Sequence, residues 1–274
     1  MTSDLFNIED KVIVVTGGMG QLGQQFTKVL LNSRAKVAIL DCSIKKIALQ
    51  ANLRRHIENK RLVLIHADVT KRESLEQALV KIQEKWGRTP YGLINNAALD
   101  SPPGAPAEET GLFEDFPDAS WDRVMNVNVK GVFLACQVFG KAMADAGAGS
   151  IINIGSTYGM VSPDHRIYEY KEKNGGESFY KPVAYSASKS ALVNLTKYIA
   201  VYWAKSGVRT NLMGLGGVFN NQDEEFMQGY CNKVPMGRMA NADEYNGTVV
   251  YLMSNASSYV TGTTIMLDGG WTAW

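Results

Sequence analysis

Tyr185 and Lys189 stand four residues apart in Tyr185-Ser186-Ala187-Ser188-Lys189, and Leu192, Leu195 and Ile199 follow at helical spacing. Read as a helix, the stretch sets a phenol and an ammonium side by side on one face. A phenol with a pKa near ~10 is a poor base at neutral pH, but an adjacent cation favours its ionised form and brings it towards the range where it can take or give a proton. The same spacing also describes an ordinary surface pair. The rest of the chain has to decide between the two.

Several polar turns fall where an α/β sheet would bring them to one edge. Val12-Ile13-Val14-Val15 reads as a strand apolar on both faces, and Thr16-Gly17-Gly18-Met19-Gly20-Gln21-Leu22-Gly23 leads from it into a helix carrying Phe26, Val29 and Leu30. Strand, glycine turn and helix form the context of a dinucleotide site, in which the pyrophosphate sits at the helix N-terminus; Gly17, Met19, Gln21 and Leu22 are the candidate contacts. The strand Lys36 to Leu40 ends in Asp41, 18 residues after Gly23 (41 − 23 = 18), where a carboxylate accepts from an adenosine ribose and repels a 2′-phosphate. No base lies in the glycine turn and Cys42 follows Asp41, so NAD is favoured over NADP. The competing reading of Asp41 is a cap on the following helix.

Leu62 to Ala67 reads as a third strand before Asp68-Val69, Ser74 to Trp86 as an amphipathic helix, and Tyr91 to Ile94 as a fourth strand running into Asn95-Asn96-Ala97-Ala98. Residues 100–120, with four prolines and the acids Glu108, Glu109, Glu114 and Asp115 among them, read as a loop on the ligand edge, either a substrate wall or a surface insertion. Trp121 to Met143 is the next helix, with Asn128 as a polar interruption, and Ser150 to Ile154 is a fifth strand before Gly155-Ser156. Strands alternating with helices predict a doubly wound parallel α/β sheet, with ligands at the carboxyl ends of the strands. The reading is one catalytic domain over 1–274.

At 274 residues, 45% hydrophobic and 20% charged, the composition is that of a soluble globular chain, and a net charge of +1 gives no reason to expect nucleic acid or an anionic membrane as partner. Cys42, Cys136 and Cys231 are too few and too scattered for a disulfide framework and read as packing residues in a reducing compartment. His56, His66 and His165 lack metal-ligand spacing, so no metal is expected. With no apolar run of roughly 18 residues and no apolar stretch in the first residues, the cytoplasm is the expected location.

The Thr-Gly turn, the Asn-Asn-Ala segment, Ser156 and Tyr185-x-x-x-Lys189, in that order and each near a strand end, resemble the short-chain dehydrogenase/reductase family from Lys11 to Leu267-Asp268-Gly269-Gly270. The resemblance implies a Rossmann-like domain with a seven-stranded sheet, nicotinamide-dependent hydride transfer between a secondary alcohol and a ketone, and a homotetramer or homodimer. It implies that Ser156, Tyr185, Lys189 and Asn128 are the catalytic set. Tyr185 exchanges the proton, Lys189 steadies it and holds the nicotinamide ribose, Ser156 binds the substrate oxygen, and Asn128 positions a water. By the same resemblance Asn95 and Ala97 support the cofactor, Asp68 and Val69 lie near the adenine, and Val218 offers its backbone to the carboxamide.

Three departures stand out. Gln21 occupies the usual middle-glycine position with Gly20 offset by one, as in an epimerase-like branch, and Leu215 and Asn220 replace the usual proline and threonine after the sixth strand. Tyr185 stands 185 − 156 = 29 positions after Ser156 where the family has about a dozen, the extra segment spanning roughly 163–182. Its Arg166, Tyr168, Tyr170, Lys171, Lys173, Phe179, Tyr180 and Lys181 suit a hydroxylated or anionic ligand such as a sugar, amino sugar or sugar phosphate, the alternative being a surface hairpin without substrate contact. The segment also resembles a subgroup linked to flagellin modification and nonulosonic-acid sugar synthesis. The alternative functions are a 3-oxoacyl thioester reductase, an epimerase-like enzyme and a non-catalytic NAD-binding redox sensor. Trp271 and Trp274 are read as exposed aromatics that meet a partner subunit.

Overall fold

Strand β1 (Val12–Thr16) is buried along its whole length, and so is β5 (Gly149–Ile154). Such strands need cover on both faces, and successive residues supply it. Ile13 and Val15 enter one core with Val37 and Ile39, while Val12 and Val14 enter the other with Ala38 and Leu40. The structure is a computed structural model that describes residues 5–44, 46, 48–100 and 107–274.

The remaining strands are β2 (Lys36–Asp41), β3 (Leu62–His66), β4 (Gly92–Asn95), β6 (Val208–Leu215) and β7 (Thr264–Leu267), and all seven lie parallel in the order β3-β2-β1-β4-β5-β6-β7. The order reverses between β1 and β4, where Thr16 is level with Asn95. That reversal opens the crevice in which doubly wound sheets take their ligands.

Helices α1 (Gln21–Asn32) and α2 (Ala51–Glu58) supply Phe26, Leu30 and Leu53 to the first core. Helix α3 (Arg72–Trp86), stopped by left-handed Gly87, supplies Leu75 and Ile82 to the second. The next helical run, α4, covers 118–145, in which π-helical turns Asn126–Lys130 and Cys136–Gly140 separate α-helical pieces. Helix α5 (Val183–Trp203) carries Leu192 and Ile199 against the same face. Then follow α6 (Glu224–Cys231) and α7 (Asn246–Met253), the latter closing the first core with Val249 and Leu252.

The last helix is shorter than its sequence pattern, which runs from Asn241. Glu244 takes the Asn241 N–H and the Arg238 guanidinium, and this holds the preceding residues in a turn. Strand β7 likewise starts only at Thr264, because Thr261 Oγ1 and Asn211 Oδ1 replace the ladder partners just before it. Among the described residues no helix is long and apolar enough to cross a membrane. Cys136 is buried and Cys231 half-buried, but Cys42 is exposed, so the packing reading holds for two of the three.

Candidate active site

Ser156 lies two residues past the end of β5, and α5 is fastened beside it. The Lys189 ammonium donates to the Ile154 carbonyl at 2.8 Å, Ser190 Oγ donates to the Gly159 carbonyl at 2.8 Å, and a Cβ on Gly159 would fall 2.8 Å from the Lys189 carbonyl carbon. Below the sheet, Asn95 Nδ2 donates to Asn153 Oδ1 and Asn153 Nδ2 to Thr196 Oγ1, both at 2.8 Å, tying β4 and β5 to the same helix. These bonds bring Ser156, Tyr185 and Lys189 onto one cleft of about 570 Å³.

Asn128 lies in the first π-turn, fully buried, and its side chain is committed. Its Oδ1 accepts the Leu99 N–H at 2.7 Å, and its Nδ2 donates to the Leu99 carbonyl and to Ser188 Oγ, both at 3.0 Å. The amide therefore locks the exit of β4 to α5, one residue from Lys189. It does not line the cleft.

The electrostatics differ from what helix spacing suggests. Burial, reinforced by the Asp100 carboxylate, pushes the Tyr185 phenol above its ordinary range, and the hydrogen bond with Ser156 offsets only part of this. Burial also pulls the Lys189 ammonium down to about 8, with Asp100 acting weakly against it. Lys189 Nζ sits 5.7 Å from the Tyr185 ring centroid. Desolvation thus dominates, and it favours the proton-bearing form of the phenol.

A lowered lysine pKa has a stability consequence. The unfolded chain binds a proton at Lys189 up to about 10.5 but the folded one only to about 8, so stability rises with pH between those values. Between about pH 7 and pH 10, Lys189→Met is expected to lose roughly 2 kcal/mol relative to the parent. Urea unfolding of both proteins at the two pH values reads this directly, and parallel pH dependence would contradict the buried-ammonium assignment.

The glycine turn is shaped for close approach. Gly17 has φ +60°, and a Cβ there would lie 2.6 Å from Ala97 Cα; one on Gly23 would lie 2.3 Å from the Gly17 carbonyl oxygen. Helix α1 begins after Gly20 with no side-chain cap and no acid in its first turn. Its leading N–H groups and dipole are thus available to an anion, as a dinucleotide pyrophosphate requires. Gln21 needs no glycine: it is exposed, and its Nε2 donates to the Phe219 carbonyl at 3.3 Å across the cleft. Leu22 lines the same cleft.

Asp41, at the end of β2, accepts the Met19 N–H at 3.0 Å and the Ser43 N–H at 2.7 Å. It caps a local turn, since the next described helix begins only at Ala51, and its second role is to hold the glycine turn. Asp68 accepts the Thr70 N–H and hydroxyl at 2.9 and 2.7 Å. Burial works to raise its pKa, but these bonds and Lys71 hold it below the ordinary value. Val69 packs on Gly131 of α4, where a Cβ would fall 2.8 Å from it. The Ala97 N–H donates to Thr16 Oγ1 at 3.1 Å. Val218 lines the cleft, and its carbonyl accepts Gln222 Nε2 at 2.9 Å.

The inserted segment is an ordered wall of this cleft. Ile167, Tyr168 and Phe179 form a third apolar cluster with Tyr230 of α6, Val234, Met239 and Trp271. Tyr168 and Phe179 lie 4.5 Å apart by ring centroid, and Tyr230 and Trp271 4.6 Å. The segment gives Tyr168, Tyr170, Phe179 and Lys181 to the cleft lining. Trp271 is therefore buried in this cluster, contrary to the exposed position expected, whereas Trp274 is exposed.

Comparison with known proteins places this geometry. A family model described as enoyl-(acyl carrier protein) reductase matches residues 20–272. A 2-dehydro-3-deoxy-D-gluconate 5-dehydrogenase from Bacillus subtilis is 31% identical, covering 98% of this chain and 97% of its own. The chain belongs to the short-chain dehydrogenase/reductase family. An NAD-dependent glycerol dehydrogenase from Listeria innocua is 29% identical over 97% of this chain and 96% of its own. The crystal structure of a short-chain dehydrogenase from Leptospira borgpetersenii with bound NAD+ superposes with a TM-score of 0.82 at 32% identity, covering 97% of this chain and 94% of that one.

In this short-chain dehydrogenase/reductase the cofactor-side expectation at Asn95 meets a side chain turned away from the cleft. Asn95 points into the core, where Nδ2 also meets Cys136 Sγ at 3.3 Å, while Asn96 lines the cleft and holds the Thr16 and Gly17 carbonyls at 3.1 and 2.9 Å. Strand alternation was the available signal, since Asn95 is the last residue of β4 and Asn96 lies beyond it. Tyr158 and Tyr230 also line the cleft without having been singled out. Tyr230 accepts the Gly217 N–H at 2.6 Å and so braces the segment leading to Val218.

Proposed function

We propose that this short-chain dehydrogenase/reductase is a cytoplasmic enzyme that interconverts a secondary alcohol and a ketone on a sugar-like or polyol substrate, with NAD(H) as preferred cofactor. The observation that carries the reading is the meeting of Ser156, Tyr185 and Lys189 on one cleft that runs to the open N-terminus of α1. A nicotinamide, when bound, supplies the two-electron acceptor or donor for the reacting carbon. Gly17, Met19, Gln21, Leu22 and Asp41 would hold its pyrophosphate and ribose end, Asp68 and Val69 its adenine, and Asn96, Ala97 and Val218 the remainder, with Asn95 bracing them from the core.

Ser156 orients the substrate oxygen and Tyr185 exchanges its proton. In the reducing direction the phenol already carries the proton to be given, because burial keeps it protonated. In the oxidising direction the positive charge of Lys189 supports the phenolate that forms. Asn128 acts as a positioning residue through Leu99 and Ser188. The carboxylate of Asp41 favours a free ribose 2′-hydroxyl over a phosphate. The exposed stripe Tyr198, Val201 and Tyr202 on α5 supports assembly as a homodimer or homotetramer, which light scattering would test.

The test is steady-state turnover of purified protein on polyols, sugar acids and 3-oxoacyl thioesters with each nicotinamide cofactor. NAD(H)-dependent turnover of polyols or sugar derivatives is expected. Turnover confined to acyl thioesters with NADPH would replace the reading with a thioester reductase, and cofactor binding without any turnover would replace it with a redox sensor.

A further inference from the structure

We propose that Asp100 and Lys181 together read a hydroxyl adjacent to the reacting carbon, so that the preferred substrates are neutral polyols with vicinal hydroxyls. This rests on the alcohol–ketone reading of the cleft. Both residues line that cleft, and they form an ion pair with each other. The Lys181 side chain is only 10% exposed, and its ammonium stands 5.0 Å from the Tyr185 ring centroid, closer than that of Lys189. A group one or two bonds from a carbon held at Tyr185 and Ser156 therefore meets this ion pair.

The Lys181 end of the pair is fixed in place. The Lys181 N–H donates to His165 Nδ1 at 3.3 Å, the Tyr180 N–H donates to the Thr110 carbonyl at 2.7 Å, and Pro182 leads straight into α5. An ammonium donates and a carboxylate accepts, so the two together suit a hydroxyl, which does both. A methyl group in the same place would desolvate both ions and return no hydrogen bond, which is the stronger form of discrimination available to a site.

Charge narrows the class further. The charged residues lining the described cleft are Asp100, Asp223, Lys181 and Lys189, two of each sign. The other bases of the inserted segment face elsewhere: Arg166 is held by Asp164, Lys173 pairs with Glu169 at 3.4 Å, and Lys171 stands 4.4 Å over the Phe179 ring. No surplus cation is left to neutralise a phosphate or carboxylate. The anionic ligands compatible with the sequence are thereby disfavoured.

The experiment compares kcat/KM for 2,3-butanediol and 2-butanol, and for glycerol and glycerate, in wild type, K181M and D100N, with melting curves as a check on folding. Wild type is expected to favour the diol by about tenfold or more. Each variant should collapse that ratio by a similar factor, mainly through the KM of the diol, with the double variant no worse than either single one. D100N, which is isosteric, carries the test if K181M does not fold. An unchanged ratio in folded variants, equal losses on both alcohols, or a wild-type preference for glycerate over glycerol would overturn the proposal. Wild-type activity on 2-butanol without diol preference overturns this proposal alone, whereas inactivity on every alcohol with either cofactor overturns the functional reading beneath it.

Discussion

Tyr185→Phe is expected to lower kcat by about 10²–10⁴-fold, the range of a lost general acid or base, while leaving nucleotide affinity within a few-fold of the parent. The substitution removes one oxygen and keeps the ring, so the cleft keeps its shape and Lys181 keeps the aromatic face beside it. Lys189, pulled down to about 8 by burial, is a second cleft-lining base near the ring beside the ion-paired Lys181, and its ammonium is already engaged by the Ile154 carbonyl. It cannot stand in for the phenol. Pre-steady-state turnover alongside nucleotide titration separates the two quantities, and near-normal rates in the variant would remove Tyr185 from the chemistry.

Asp41→Ala has the second largest expected effect. Its carboxylate already bonds the Met19 and Ser43 N–H groups and would also receive the adenosine ribose, so the loss falls on cofactor binding and on the glycine turn together. A hydrogen bond to a charged group contributes about 1.5–3 kcal/mol. NAD affinity should therefore fall by roughly 10- to 100-fold. NADP should lose less, because the variant no longer repels its 2′-phosphate. Isothermal titration with both nucleotides measures the two shifts, and an unchanged ratio between them would remove Asp41 from cofactor selection.

Much of this was readable in the chain because it depends on local pattern. The run Val12 to Val15 could be assigned to a doubly covered strand since each residue of a parallel strand faces an apolar layer, and β1 is indeed buried throughout. Tyr185, Lys189 and Ser156 were legible because helix spacing and strand ends set their positions. What was hidden depends on distant partners. Lys181 and Asp100 are 81 residues apart, and neither periodicity nor composition links them. Trp271 reads as an exposed terminal aromatic until Tyr158, Tyr230 and the inserted segment are folded around it.

The protonation of Tyr185 was hidden for a similar reason. Helix spacing reports the favourable cation, whereas the opposing burial and the Asp100 charge come from the assembled cleft. The direction of the Asn95 side chain is of another kind, since the sequence does show the end of a strand. That side chain belongs to the polar network that holds α5 against the sheet, and the neighbouring Asn96 holds the glycine turn.

Alcohol–ketone chemistry at this cleft, with a nicotinamide and Tyr185, can be followed in one turnover. A single-turnover experiment tests it most directly: the protein is saturated with NAD+, binding is verified by fluorescence, and the complex is mixed with a polyol while near-ultraviolet absorbance of reduced nicotinamide is followed. Reduced nicotinamide is expected to form in the wild-type protein and not in Tyr185→Phe at equal NAD+ occupancy; bound NAD+ that stays oxidised in wild type across the polyol panel, or equal reduction in both proteins, would overturn the assignment.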